Sequence, residues 1–286
     1  MSEKNRLVVV LPARNEEAFI EGTIKSVEKQ TLKPEILLVV DDGSTDATAA
    51  IVRKHSWVKL LMKTDRGFRY RGAGVAVAVN QGVKEITRLA PDWAFLCKLD
   101  ADIILPPDYF ESLINLMNAP ENRRLGIVSG VVKGEATNLE HPRGAARIYR
   151  RQCWEDIGGK LQEIHGWDTY TDLRARQFRW ITRGIQEIEV IQRRPTAGRE
   201  QSLSVAFQVG RMMYLLGYHP LVAFARGIKL LRKNPLATII LILSNALSRF
   251  SRGLRILPKD YYQYVNQEQK ARITQLIVKL LGGRRG

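Results

Sequence analysis

Asp100-Ala101-Asp102 follows directly on the apolar run Trp93-Ala-Phe-Leu-Cys-Lys-Leu99. Two carboxylates one residue apart, where a buried strand surfaces, resist joint ionisation because each raises the cost of charging the other. A divalent cation removes that cost. Carboxylate oxygens suit hard ions such as Mg²⁺ or Mn²⁺, and Mg²⁺ commonly takes one or two protein carboxylates together with substrate phosphates. An isolated Asp-X-Asp also serves as a strand-to-turn junction, where Asp makes local hydrogen bonds. Other polar clusters favour the first reading. Pro12-Ala13-Arg14-Asn15-Glu16 follows the apolar run Leu7 to Leu11, and Asp41-Asp42-Gly43-Ser44-Thr45-Asp46 follows the run Glu35 to Val40. Gly43 permits a tight turn and Ser44 or Thr45 can cap a helix. Capping explains one Asp at this turn but not two adjacent ones and a third, whereas a base or ribose hydroxyl offers donors that such carboxylates accept.

Two further segments carry groups suited to chemistry. Lys63-Thr-Asp-Arg-Gly-Phe-Arg69-Tyr-Arg71-Gly72-Ala-Gly74 combines four basic residues with three glycines ahead of a helix. Backbone N–H groups at a helix start with arginines nearby favour a phosphate, although basic surface loops are common. The segment lacks the third glycine of a dinucleotide fingerprint and follows a loop, not a strand. His165-Gly166-Trp167-Asp168-Thr169-Tyr170-Thr171-Asp172 opens a helix, and its i, i+4 spacing puts Asp168 and Asp172 on one face. Capping and the helix dipole account for one of these two aspartates. Trp167 and Tyr170 suit stacking on a sugar ring or plain packing.

These groups need a frame. Residues 16–30, 46–54, 74–89, 108–117, 143–157 and 168–183 read as helices. Residues 7–11, 35–40, 58–62, 93–99, 125–133 and 187–191 read as strands. Alternation of short apolar strands with helices predicts βαβ units and a parallel sheet with right-handed crossovers. Ligands of such sheets bind beyond the carboxyl ends of the strands, where each of these polar clusters falls. From about Gln201 the pattern turns to helices alone, broken by Gly217, Pro220, Pro235 and Pro258.

The 286 residues, 45% hydrophobic, can bury a full core and exclude a disordered chain. Cys97 and Cys153 are too few for a disulfide framework or a metal cluster and read as reduced core residues. The sequence passes from Met1 straight into a strand without a signal-peptide pattern, so a cytoplasmic location is expected. The net charge is +16 but uneven: residues 1–172 hold 24 Lys+Arg and 24 Asp+Glu, residues 173–286 hold 21 and 5. Such a field expects a polyanion: nucleic acid, anionic lipid or a phosphate-bearing substrate.

Taken in order, Pro12-Ala-Arg-Asn-Glu-Glu17, Val40-Asp-Asp-Gly-Ser-Thr-Asp46, Asn80-Gln-Gly82, Leu99-Asp-Ala-Asp102 and Gly166-Trp-Asp-Thr169 resemble the family 2 glycosyltransferases, which have the GT-A fold. The resemblance covers roughly residues 5–200. It implies an α/β catalytic domain over 1–200, with a Rossmann-like, mostly parallel sheet flanked by helices; the pattern and charge beyond it read as a helical, basic extension over 201–286. It also implies an inverting transfer from a UDP- or GDP-sugar to a saccharide or lipid-linked acceptor, in polysaccharide, glycoconjugate or cell-envelope synthesis. Asp41 or Asp42 would meet the nucleotide base, with Pro12, Ala13, Arg14, Glu16 and Ala101 around the donor. Asp102, helped by Asp100, would hold the cation. Asp168 would be the general base, with Asp172 in reserve, and Arg150 to Gly159 resembles the helix before an acceptor-side loop. Two positions depart from the family pattern. Ile191-Gln-Arg-Arg-Pro-Thr196 stands where many relatives carry a metal-binding histidine, so that Arg193 could bind diphosphate directly. Val79 replaces the usual arginine before Asn80, leaving Arg69, Arg71 and Gly72 to hold the phosphates.

Rival readings are a sugar-phosphate nucleotidyltransferase, which would want a Gly-rich loop after the first strand, and a non-catalytic membrane scaffold. In the tail, Leu236, Ile239, Ile240, Leu243, Leu247, Phe250 and Leu254 follow helical spacing beside Arg249, Arg252 and Arg255. The apolar run Leu236 to Leu243 is far short of the ~20 residues that span a bilayer. An interfacial helix on anionic lipid and a helix packed on the catalytic domain both fit this pattern. Nucleic acid is not expected, since no reader module accompanies the charge.

Overall fold

A computed structural model of the chain describes residues 5–65, 67, 73–135, 138–194, 203–231, 234–250 and 255–282. The chain divides into two compact units, Met1–Pro195 and Thr196–Gly286.

The first unit is built on eight strands: β1 (Leu7–Ala13), β2 (Ile36–Asp41), β3 (Lys59–Met62), β4 (Phe95–Leu99), β5 (Ile103–Ile104), β6 (Leu125–Val132), β7 (Ala146–Arg150) and β8 (Ile181–Gln192). Its helices are α1 (Ile20–Glu28), α2 (Thr48–Arg53), α3 (Ala73–Leu89), α4 (Tyr109–Asn118), α5 (Arg151–Asp156) and α6 (Trp167–Gln177). The sheet order is β3-β2-β1-β4-β7-β6-β8-β5. β3, β2, β1 and β4 are parallel neighbours, β7 runs antiparallel to both β4 and β6, and β6 and β8 are parallel.

Leu7 to Leu11 are fully buried, as an unbroken apolar strand covered by helices on both faces must be. α3 seats closely on this layer: a Cβ at Gly82 would come within 2.7 Å of Val10 Cγ1 and 2.9 Å of Val40 Cγ2. Two residues earlier, Asn80 donates to the Leu161 carbonyl (2.9 Å) and accepts from the Leu161 N–H (2.8 Å). The Asn-Gln-Gly segment is therefore packing and clamping chemistry that fixes α3 against the sheet.

Two expectations fail in the second half of this unit. Residues 143–157 are not one helix: 146–150 form β7, inserted between β4 and β6, and only 151–156 turn helical. The fully enclosed Arg147 hides this strand from hydropathy, because its charge is met by a distant carboxylate. The helix expected to reach 183 stops at Gln177. Arg179 takes a left-handed φ of 64°, and the Trp180 and Arg179 N–H groups bond back to Ala175 and Arg176. That closure normally uses glycine. β8 then begins at Ile181 instead of 187.

The second unit contains α7 (Leu203–Leu215), α8 (Pro220–Leu231), α9 (Pro235–Ser248) and α10 (Lys259–Gly282). Among the described residues no helix is long and apolar enough to cross a membrane.

Candidate active site

Parallel register brings the first three strand ends together. Ala13 pairs with Asp41, the Asp42 N–H donates to the Ala13 carbonyl (2.8 Å), and the Lys63 N–H donates to the Asp41 carbonyl (2.9 Å). Asp41 is buried and its Oδ1 accepts from the Ser44 N–H (2.8 Å). Asp42 is met by Lys63 Nζ at 2.6 Å. Arg14 donates to the Asp42 carbonyl and to Asp65 Oδ1, each at 2.8 Å. The third aspartate has a structural task. Asp46 accepts from the Thr48 N–H (3.0 Å) and hydroxyl and from the Glu17 N–H (3.1 Å). Burial alone would raise its pKa, but these donors lower it. Asn15 Oδ1 accepts from the Thr45 N–H (2.9 Å), which laces the loop after β1 to the loop after β2. Glu16 is ion-paired with Arg194, which ties the same loop to the end of β8. Arg69, Arg71 and Gly72 lie outside the described residues.

At the end of β4, Ala101 and Asp102 are buried and the Ala101 carbonyl accepts from Thr23 Oγ1 (2.7 Å). Asp102 Oδ2 accepts from Gln192 Nε2 at 3.3 Å, and its carbonyl accepts from the Arg193 N–H at 2.9 Å. The side chain facing the Asp102 carboxylate at the histidine-replacing segment is thus Gln192. The Arg193 guanidinium lies over the Phe19 ring instead, 5.9 Å from its centroid, because alternation along β8 turns it away. Asp100 is ion-paired with Lys98, a buried lysine that also donates to the Gly144 carbonyl (2.6 Å). Burial raises the Asp100 pKa against the opposing Lys98 charge, and Asp102 adds to the rise.

Among the described residues no group of three or more His, Cys, Asp or Glu forms a closed metal cage. Asp102 with Asp100 nearby still fits a hard cation that takes one or two protein carboxylates and fills its other positions from a diphosphate and water.

The third cluster joins β7 to the start of α6. Arg147 Nη1 stands 2.9 Å from Asp172 Oδ1, and its Nη2 donates to Asp172 Oδ2 at 3.2 Å. Neither side chain has exposed surface. Nη1 also donates to the Asp168 carbonyl (3.2 Å), which holds the first turn of α6 on the strand. His141 Nδ1 is hydrogen-bonded to Asp172, and its Nε2 lies 3.7 Å from Asp168 Oδ2. The Asp168 side chain remains 34% exposed. Burial would lower the His141 pKa, but bonds to two carboxylates push it up to about 9. Burial would raise the Asp168 pKa, but His141 and Arg147 more than offset this and hold it far below the usual carboxylate range. The expected helical face holds both aspartates. Asp172 is nevertheless enclosed, with its oxygens engaged by Arg147 and His141, and has no opening toward an acceptor.

The second and third clusters are continuous. Lys98 reaches from Asp100 to Gly144 and lies 5.4 Å from the Trp167 ring centroid, and a Cβ at Gly144 would stand 3.8 Å from Asp168 Oδ2. His141, Arg147 and Lys98 escaped the sequence reading, while Lys63 was grouped with a phosphate-binding loop and Gln192 with the segment replacing a histidine. The available signals were a histidine and an arginine just upstream of the acidic helix, and a lysine within an apolar strand.

The sequence is 33% identical over 141 residues to a validoxylamine A glucosyltransferase of Streptomyces hygroscopicus subsp. limoneus, a match covering 48% of this chain and 28% of the relative. It is 27% identical over 178 residues to the poly-beta-1,6-N-acetyl-D-glucosamine synthase of Staphylococcus aureus, covering 58% and 39%. The chain therefore spans well under half the length of these curated relatives. Its fold is similar to that of the Pyrobaculum calidifontis mannosyltransferase PcManGT in complex with GDP-Man and Mn²⁺, with a TM-score of 0.55 at 18% identity over 96% of this chain and 87% of that one. It is also similar to S. aureus TarS 1-349 in complex with UDP-GlcNAc, with a TM-score of 0.54 at 16% identity over 93% and 92%. Residues 8–184 match the family model of glycosyl transferase family 2. A matched span that runs from β1 into β8, and so takes in the three strand-end and helix-start aspartate segments, establishes that this GT-A-fold chain belongs to glycosyl transferase family 2.

Proposed function

We propose that the chain moves a sugar from a UDP- or GDP-sugar to a saccharide or lipid-linked acceptor, with inversion at the anomeric carbon, in polysaccharide, glycoconjugate or cell-envelope synthesis. The observation that carries this reading is Asp168, a partly exposed carboxylate kept ionised beside His141 and linked through Gly144 and Lys98 to the Asp100–Asp102 turn. The complexes of the structural neighbours with GDP-Man and Mn²⁺ and with UDP-GlcNAc support the donor class and the cation. The family assignment disfavours the nucleotidyltransferase and scaffold readings.

Asp41 or Asp42 takes the base, with Pro12, Ala13, Arg14 and Glu16 shaping the donor end. Arg69, Arg71 and Gly72 serve the diphosphate, with Arg193 as a further candidate. Asp102, aided by Asp100, holds Mg²⁺ or Mn²⁺, which when bound supplies charge neutralisation on the departing diphosphate. Asp168 takes the acceptor hydroxyl's proton as the oxygen attacks the anomeric carbon, and the bond to the nucleoside diphosphate breaks on the opposite face. Asp172 acts through other groups: it positions His141 and Arg147, which aim and charge Asp168. The enzyme works in the cytoplasm, peripheral on the inner face of the cell membrane.

A thermal-shift series with UDP, GDP and their sugars, with and without Mn²⁺, combined with assay of released nucleoside diphosphate, tests the reading. One nucleotide should raise the melting temperature in a cation-dependent way, since a ligand bound only by the folded state stabilises it. If no nucleoside diphosphate or nucleotide-sugar does so, the proposal fails.

A further inference from the structure

We infer that the C-terminal unit is a docking surface for an anionic lipid bilayer, with α8 and α9 lying in the headgroup layer and one apolar stripe of each among the acyl chains. The inference takes its setting from the peripheral-membrane reading above and adds the surface, its residues and the lipid charge it requires.

α7, α8 and α9 share a small apolar core, in which Met213 and Leu241 are fully buried among Ala206, Ala223 and Ala237. Small and polar groups also bridge the helices at their crossings. A Cβ at Gly210 would come within 1.9 Å of Ser244 Oγ and 2.3 Å of the Leu241 carbonyl, so α7 and α9 approach nearly backbone to backbone. Asn245 Nδ2 donates to the Gly210 carbonyl, and Thr238 Oγ1 donates to the Gly227 carbonyl, each at 3.0 Å. Small residues at the crossing and polar side chains bridging helices are what association in lipid favours, where large apolar groups gain little by turning inward. A second set of large side chains points out. Leu221, Phe224 and Ile228 on α8 are 57%, 51% and 49% exposed. Leu236, Ile239, Leu243 and Leu247 on α9 are 51–61% exposed, with Phe250 beyond at 84%. Both sets recur at helical spacing on one face.

Charge selects the occupant. Between Gln201 and Pro258 the sequence has eight Lys/Arg and no Asp or Glu. A second copy docking through this face would set cations against cations, and like charges juxtaposed across an interface are costly. Phosphate headgroups reverse the sign, with basic residues near an anionic surface and apolar side chains below it. α9 has 14 residues, about 21 Å of helix at 1.5 Å per residue, which is too short for a ~30 Å hydrocarbon core. It therefore lies in the plane and does not cross it.

Co-sedimentation of the full chain with vesicles of phosphatidylcholine alone, or of phosphatidylcholine with phosphatidylglycerol, tests this. Binding should require phosphatidylglycerol and weaken with added salt. The double variant Leu243→Glu and Leu247→Glu should bind about tenfold or more weakly, since two side chains exchange acyl contact for charge. Donor hydrolysis in vesicle-free solution, unchanged in that variant, shows that it is folded and keeps this inference separate from the proposed reaction. Full turnover without vesicle binding by the parent chain sinks the docking surface and leaves the reaction standing, and binding without turnover does the reverse. Binding that survives both glutamates, or equal binding to phosphatidylcholine alone, also overturns the inference. So does a parent dimer in solution that the variant converts to monomer.

Discussion

At the ends of β1, β2 and β3, acidic groups are steadied at the rim of the sheet: Asp42 by Lys63, and Asp65, 39% exposed, by Arg14. Between β7 and α6 the same kinds of charge are drawn inside, where Arg147 and Asp172 pair with no exposed surface. The exposed Asp65 can exchange its protein partner for a ligand at little cost, because surface ion pairs contribute only about 0–1 kcal/mol, while Asp42 and Lys63 are largely buried but still less enclosed than Arg147 and Asp172. An enclosed pair cannot be opened so cheaply and suits a framework that aims another group. On the proposed reading the difference divides labour: the parallel half of the site would bind, and the antiparallel half would position the base.

The sharpest way to break that division is to remove one carboxylate from each half. Asp168→Asn should lower transfer by about 10²–10⁴-fold, the usual worth of a general base, while nucleotide-dependent thermal stabilisation stays unchanged. Asp102→Asn should instead lose the cation-dependent part of that stabilisation along with turnover. Retained transfer in Asp168→Asn would remove this residue from the role, and unaltered cation dependence in Asp102→Asn would remove the other.

Arg147→Met asks whether the buried pair is framework. Removing one partner of an enclosed ion pair leaves an uncompensated charge, at a typical cost of 3–5 kcal/mol. His141 still meets Asp172, so about 3 kcal/mol is expected. For a unit near 200 residues this lowers the melting temperature by roughly 6–12 °C. Adding Asp172→Asn should recover part of the loss, because the stranded charge goes with it. A single variant that melts within about a degree of the parent contradicts the framework role.

The same division decides what could be read from sequence. The parallel half was legible because β1, β2 and β4 lie covered on both faces and show as apolar runs ending in Asp or Pro-Ala-Arg. β7 was not, since Arg147 in its centre is satisfied by Asp172, 25 residues away, a pairing that exists only after folding. The end of α6 was hidden for another reason: Arg179 occupies a left-handed position where glycine is the usual signal. In the site, the aspartates announced themselves at strand ends and at a helix start. His141 did not, because its meaning comes from Asp172, 31 residues downstream. Spacing also put Asp168 and Asp172 on one helical face without showing that the sheet would cover the second.

His141 offers the smallest and most specific test. Its folded-state pKa of about 9 lies above the ordinary 6.5, so the folded chain holds this proton more tightly than the unfolded one. The resulting stabilisation is full below pH 6.5 and is lost as pH rises through about 9. About a third of the side chain faces water, which screens the pair and limits the effect to roughly 1–2 kcal/mol. Asp168 stays ionised across that window, since its own pKa lies far below it. Loss of the imidazolium removes a positive charge from beside Asp168 and makes it a stronger base, because that charge favours the ionised carboxylate over the protonated one it becomes during transfer. Replacing a charge-assisted bond by a neutral one is worth about 1 kcal/mol, or roughly fivefold in rate. The parent should therefore gain about fivefold in kcat near pH 9 at constant KM. His141→Gln, which keeps an amide donor for Asp172 but cannot titrate, should start higher at pH 7 and show a flat profile through pH 9. A variant that retains the parent's alkaline rise would place the titrating group elsewhere and reduce His141 to packing.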